Sequence, residues 1–211
     1  MTRYLTCAET AVLVRKALKA KFPDVKFSVR SDTYSGGASI RVTWLLGPTT
    51  KQVEAVAKQF QGGDFDGMID LKIHNESWLL PDGTARLAES PGTEGSRGVI
   101  PAFVSDAPHP NAELVSFGAD FVFCDRTYGN EENLVERVAR DMCQLNGKDW
   151  QGINGPGLFG QGDYEPVSTH AWRLLQETAF ANGERYAGVR WATAEERESS
   201  NVIMAIVKTA A

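Results

Sequence analysis

The side chains with the clearest chemical potential are Lys26, Arg30, Tyr34 and Arg41. They fall in or beside the stretch FSVRSDTYSGGASIRVTW, residues 27–44, in which two runs alternate apolar and polar residues about a Gly36-Gly37 turn. In an extended chain, successive side chains project to opposite sides. Val25, Phe27 and Val29 therefore point one way, and Lys26, Ser28 and Arg30 the other. On the return run Ile40, Val42 and Trp44 alternate with Ser39, Arg41 and Thr43. Cations interleaved with hydroxyls suit contact with phosphates, with little reading of base sequence. The same pattern also describes the solvated side of an amphipathic sheet, and this side of the hairpin lacks the aromatic residues on which RNA-binding sheets stack bases.

Other residue sets point to weaker chemistry. The histidines His74, His109 and His170 fall in none of the close spacings of a helical or strand metal site, and no metal is expected. Cys124 beside Asp125 has the composition of a thiol nucleophile, but it follows Phe121-Val122-Phe123 and reads better as a small buried hydrophobe. Gly152-Ile153-Asn154-Gly155-Pro156-Gly157 is glycine-rich, yet it lacks the Lys-Ser/Thr end of a phosphate-binding loop and its proline removes a donor. Asp64, Asp66, Asp70 and Asp82 do not follow calcium-loop spacing, and Asp66-Gly67 is explained as a turn. Asp66, Asp125 and Arg126 are the residues from which a pocket could be assembled.

Charge is unevenly spread. Residues 1–61 hold 10 Lys+Arg against 4 Asp+Glu, a net of +6; residues 62–211 hold 12 against 23, a net of −11; together these give the chain's −5. A sequence pI near 5.3 excludes a strongly basic whole-chain nucleic-acid binder but not a local basic face. An excess of −11 over the second segment is modest for a mimic of the DNA backbone. Three widely spaced cysteines, Cys7, Cys124 and Cys143, argue against a disulfide framework. The start of the chain lacks the apolar core of a signal peptide, and no apolar run reaches the ~20 residues of a membrane helix. The expected setting is the cytoplasm of a host cell, without membrane contact.

These residues need elements to hold them. Thr6 with Glu9 predicts a capped helix carrying Val14, Leu18 and Phe22 and ended by Pro23. The hairpin follows. Thr49 with Gln52 then opens a second helix, through Val53, Val56, Ala57 and Phe60, ended by Gly62-Gly63. Phe65–Asp70 reads as a tight turn into an apolar run. Residues 76–112 are expected to be loop or linker, on the strength of Pro81-Asp82-Gly83, Ser90-Pro91-Gly92 and Ala107-Pro108-His109-Pro110. Beyond them, Leu114–Phe123 is β-prone with a break at Gly118. A helix capped by Asn130, with Glu131 and Glu132 in its first turn, carries Leu134, Val135, Val138, Met142 and Leu145. A helix opened by Pro166 turns Trp172, Leu175 and Ala179 inward and ends at Asn182-Gly183. Strands are expected over 186–191 and 202–207, with a turn or short helix at Glu195–Glu198 between them. The fold class is α+β: an N-terminal αββα unit over 1–75, then a mixed α/β region over 113–211 with a small, mostly antiparallel sheet, with or without a shared core.

The segment ETAVLVRKALKAKFPDVKFSVRSDTYSGGASIRVTW, the Gly47-Pro48-Thr49 turn and Phe65-Asp66-Gly67-Met68-Ile69-Asp70 resemble a large polyvalent protein associated domain of phages and conjugative plasmids, over about residues 5–75. A weaker likeness covers Ala119–Arg126 and extends over 119–145. The resemblance implies a mobile genetic element as the setting and supplies no catalytic residues. The expected function is thus a non-enzymatic interaction protein of a phage or plasmid that binds a host or element protein and counters a defence complex such as CRISPR or restriction. The alternatives are nucleic-acid binding through the basic hairpin face, and an unrecognised enzyme. No cofactor is expected.

Overall fold

The structure, a computed structural model, describes residues 2–93, 100–128, 134–158, 165–181, 183–200 and 203–210. The expected cap at Asn130 with Glu131 and Glu132, Asn182 and Val202 lie outside those residues. The chain divides into two units: Met1–Trp44 with Thr50–Arg126, and Leu45–Thr49 with Thr127–Ala211.

The first unit opens with β1 (Arg3–Leu5) and α1 (Cys7–Lys21). The capping box forms as its spacing predicts: the Glu9 N–H donates to Thr6 Oγ1 at 3.3 Å, and the Thr6 N–H donates to Glu9 Oε2 at 2.8 Å. Ala11, Val14 and Leu18 are buried at helical spacing. β2 (Phe27–Tyr34) and β3 (Gly37–Leu45) make the hairpin, with Phe27 opposite Trp44, Arg30 opposite Arg41 and Tyr34 opposite Gly37. α2 (Thr50–Ala57) and a 3-10 turn, Lys58–Phe60, bury Val53, Ala57 and Phe60 against the same core. β4 (Gly63–Asp66) and β5 (Leu71–His74) pair around the expected turn. A side chain at Gly62 would drive its Cβ to 2.0 Å from the Phe117 carbonyl oxygen, so the glycine that ends the helix also lets two backbones meet.

Residues 76–112 depart from the expected loop or linker. They carry β6 (Glu76–Leu79), β7 (Ala85–Ser90) and β8 (Phe103–Val104). Their strands are short, and β7 buries only Ala85, Ala88 and Ser90, so the sequence shows no apolar alternation. Pro81-Asp82-Gly83 is the tight turn of a hairpin: Gly83 lies at φ +84° and its N–H donates to the Leu80 carbonyl at 2.9 Å. With β9 (Glu113–Phe117) these strands form a five-stranded sheet ordered β1-β9-β6-β7-β8, antiparallel except for the parallel β1–β9 pair.

β10 (Phe121–Thr127) joins the hairpin, giving a second sheet ordered β10-β3-β2. The αββα unit is therefore not closed at residue 75. Val115, Phe117, Ala119 and Val122 sit in one core with Val14, Leu18, Ile40, Val42 and Phe60. The Phe60 and Phe117 rings meet edge to face, centroids 5.6 Å apart.

The second unit contains α3 (Leu134–Leu145), α4 (Val167–Glu177), β11 (Glu184–Trp191), α5 (Ala194–Ser200) and β12 (Met204–Ala210). Its core gathers Val138, Met142, Val167, Ala171, Leu175, Phe180 and Tyr186. Trp172, expected inward, stays 41% exposed, because the buried stripe of α4 runs through Val167, Ala171, Leu174 and Leu175; its ring meets that of Tyr128 edge on at 5.3 Å.

Candidate nucleic-acid interface

The outer face of the β10-β3-β2 sheet brings together residues from two distant stretches of sequence. Val29, Ile40, Val42 and Trp44 fill the inner face. Alternation then turns Ser28 and Arg30 of β2 and Ser39, Arg41 and Thr43 of β3 outward, with Lys26 continuing the series before β2. β10 follows the same rule: Val122 is buried in the core and Cys124 packs against it, so Phe121, Phe123 and Asp125 face out. The two phenyl rings are 6.2 Å apart between centroids. The aromatic residues missing from the hairpin are thus supplied by a third strand about eighty residues away along the chain.

The charged groups of this face are arranged in rows. Arg41 sits over the Phe123 ring, its guanidinium carbon 5.6 Å from the centroid, and forms an ion pair with Asp125. The side chain of Arg30, directly opposite Arg41 on the other flank, carries no hydrogen bond or ion pair among the described residues. Asp32 lies on the same side of β2, so the face has three cations and two carboxylates. Tyr34 is half-exposed at the turn, with its ring against Gly37, where an added Cβ would lie 3.1 Å from it.

Asp66, Asp125 and Arg126 take separate places. Asp125 and Arg126 are consecutive in β10 and project to opposite faces, Asp125 half-exposed and Arg126 buried. Asp66 is buried at the end of β4, where Oδ1 accepts the Met68 N–H at 2.9 Å and sets the turn.

A polar cluster that spacing did not reveal centres on Asp120. Its Oδ2 accepts the Ala38 N–H at 2.8 Å and pairs with Lys72 Nζ at 2.7 Å; its own N–H donates to the Ala38 carbonyl at 2.8 Å. Lys72 also donates to the Gly36 carbonyl at 3.1 Å, and His74 Nδ1 lies 3.7 Å from Asp120 Oδ1. With the Lys72 ammonium committed to two acceptors, the cluster acts as a clasp between the β2–β3 and β4–β5 hairpins. No signal in the sequence links residues 38, 72 and 120.

The remaining chemical sets do not assemble. Burial, and then the charge of Glu54, push the Cys124 thiol up to about 12, which makes it a poor nucleophile at neutral pH. His109 Nδ1 accepts the Asn111 N–H at 3.0 Å in its own loop, and His170 lies on α4. Among the described residues no group of three or more His, Cys, Asp or Glu could hold a metal ion. In the glycine-rich loop the Gly155 N–H donates to the Gly152 carbonyl, and Lys148 Nζ donates to that of Gly157, so both donors are engaged within it.

The model of the family described as large polyvalent protein associated domain 29 matches residues 5–129. The chain belongs to this family. The matched residues run from Leu5, the last residue of β1, through β10, and so include the outer sheet face and the Asp120 clasp. The match covers the resemblance over residues 5–75 and joins it, through 76–118, to the first part of the weaker likeness over 119–145, ending at 129. Membership places the polyvalent-domain chain among proteins associated with phages and other mobile elements. No curated protein and no solved structure matches it. No helix among its described residues is long and apolar enough to cross a membrane.

Proposed function

We propose that this polyvalent-domain protein is a non-enzymatic module of a mobile element that binds single-stranded nucleic acid across the outer face of the β10-β3-β2 sheet. The observation that carries the reading is the placement of Phe121 and Phe123 beside Arg41 and Arg30 on one open face. Open sheets that bind single strands use aromatic rings as stacking platforms and cations along the backbone path. Here Phe121 offers a ring and Phe123 supports the Arg41 guanidinium plane, on which a base can also stack, Arg30 and Lys26 meet phosphates, and Ser28, Ser39 and Thr43 supply hydroxyls. Stacking accepts every base and the cations read only phosphate, so binding carries little sequence preference.

The test is fluorescence anisotropy of a labelled oligothymidylate at low salt, then across a salt series. Replacing Phe123 by Ala should weaken binding roughly five- to a hundredfold, the worth of one stacked base. A face that binds no strand at low salt, or that keeps its affinity without Phe123, rules the reading out.

A second reading rests on another observation. The β4–β5 turn exposes Met68 and Ile69, Met68 at 80%, while Phe65 and Leu71 are exposed on opposite faces of the two strands. Neighbouring exposed apolar side chains at such a turn mark protein contacts. Their occupant in this reading is a host defence complex such as CRISPR or restriction. Expression of the protein beside an active defence system, with Met68→Asp/Ile69→Asp as the comparison, tests it. Protection of incoming DNA by the native chain and its loss in the variant support it; no protection removes it.

A further inference from the structure

A groove of about 310 Å³ lies between α1, the end of α2 and the β6–β7 turn, away from the sheet face described above. Its floor is Ala17, Ala20 and Val56, its back wall Gln59, and its far rim Asp82, Gly83 and Thr84; Lys16 and Lys21 stand on the near side. At about 100° per residue, Lys16, Ala20, Ala17 and Lys21 follow one another around the helix. The two lysines therefore bracket the two alanines, and it is the small side chains that leave the space.

The polar groups of the walls differ in availability. Gln59 is engaged at both ends of its amide: Nε2 donates to the Val56 carbonyl at 2.7 Å, and Oε1 accepts the Ala85 N–H at 2.8 Å. Asp82 Oδ1 accepts both the Thr84 N–H and its hydroxyl, at 2.8 and 2.7 Å, and these bonds hold its carboxyl below the usual range. The Lys16 and Lys21 side chains have no hydrogen bond or ion pair among the described residues, whereas that of Lys19 on the same helix donates to the Pro23 carbonyl. An apolar floor flanked by two unpartnered ammonium groups, with the one carboxylate of the lining, Asp82, on the far rim, selects a ligand that is apolar in its body and negative at the lysine edge.

We infer that this groove binds a small organic anion with a flat apolar body. The body lies on Ala17, Ala20 and Val56, and the acid group meets the lysine side chains that flank them. The site is independent of strand binding by the sheet face and stands whether or not that reading holds.

The test uses the full chain with 1-anilinonaphthalene-8-sulfonate, which joins an aromatic body to one sulfonate, and with its uncharged counterpart N-phenyl-1-naphthylamine. The sulfonate should give a saturable, single-site gain in fluorescence, with roughly tenfold higher affinity than the neutral probe, the worth of a charge pair or two at a wet rim. The Lys16→Gln/Lys21→Gln variant should lose that advantage and keep its affinity for the neutral probe. Ala20→Phe fills the floor from an exposed helix position and should abolish binding of both; Ala17→Leu serves the same end if Ala20→Phe lowers the unfolding midpoint. Equal affinity for the two probes, or sulfonate binding unchanged by the lysine pair or by a filled floor, overturns the inference.

Discussion

Arg30 and Arg41 stand directly opposite each other across the β2–β3 ladder. Like charges in this relation weaken strand pairing, by roughly 0.2–1 kcal/mol. Asp125 forms an ion pair with Arg41 from the β10 side, and no group among the described residues forms one with Arg30. A sheet face shaped for solubility alone gains nothing from that repulsion. A face that meets phosphate gains an uncommitted cation.

Arg30→Ser should therefore separate stability from binding. Unfolding in urea should shift by no more than about 1 kcal/mol, in the stabilising direction, because the cross-strand repulsion disappears. Affinity for an oligothymidylate should fall, and the slope of log affinity against log salt should shrink by about 0.7, the signature of one phosphate contact on a single strand. A destabilised variant with intact binding would place Arg30 in the fold and not in the interface.

Asp125→Asn tests the same face with the opposite sign. The Arg41–Asp125 pair is half-exposed on both sides, so its loss should change stability by less than about 1 kcal/mol. The guanidinium stays over Phe123 and gains freedom to meet phosphate, so strand affinity should rise several-fold at low salt and converge with the native value as salt increases. Weaker binding in this variant would mean that Asp125 orients Arg41 and does not compete with its ligand.

Asp120→Ala should be the most damaging single change of this set. It leaves the Ala38 N–H without its acceptor and removes one of the two acceptors of Lys72 Nζ, at a site where the Asp120 side chain is 9% exposed. The expected loss is about 2–4 kcal/mol, below the range of a fully buried pair because Lys72 can turn to water. Lys72→Met keeps the Ala38 bond and should cost about 1 kcal/mol. Urea midpoints of the two variants in reverse order would show that Lys72, and not Asp120, holds the two hairpins.

The three cysteines give a prediction that needs no variant. Burial raises the thiol pKa of Cys7, Cys124 and Cys143, that of Cys124 to about 12. At pH 8 the native chain should resist iodoacetamide, and all three thiols should react once urea unfolds it. Rapid alkylation of native Cys124 would reopen the thiol-nucleophile reading.

Local patterns carried much of the first unit. The Thr6–Glu9 box, the alternation of residues 27–44 and the Val53–Ala57–Phe60 stripe each determine an element by contacts within a few residues, and all three appear in the fold. Contacts distant in sequence were not legible. β10 reaches the hairpin from about eighty residues away, so nothing near Phe123 in the sequence marks it as the exposed ring beneath Arg41. The strands of 76–112 escaped notice because β7 turns mainly alanine and serine inward. Asp120 gave no sign of its role, since Ala38 and Lys72 become its partners only when both hairpins are folded.

Glu196 offers a pH test within the second unit. Its carboxylate accepts two N–H groups of Arg190, at 2.8 and 2.7 Å, and the Thr193 N–H at 2.8 Å. Those bonds, the guanidinium first, lower its pKa from 4.5 to about 2. A carboxylate with a depressed folded pKa contributes stability that is fully present above its unfolded value and is lost as pH falls through the folded one. The link between β11 and α5 should thus be intact above about pH 4.5 and loosen progressively toward pH 2. Exchange of the Thr193 amide, followed by NMR relative to amides in α3, should accelerate over that window. In Glu196→Gln the amide should exchange faster from the outset and lose its pH dependence there beyond the intrinsic chemistry. A Thr193 amide equally protected at pH 2.5 and pH 6, after correction for intrinsic rates, would show that the Arg190–Glu196 pair does not hold this turn.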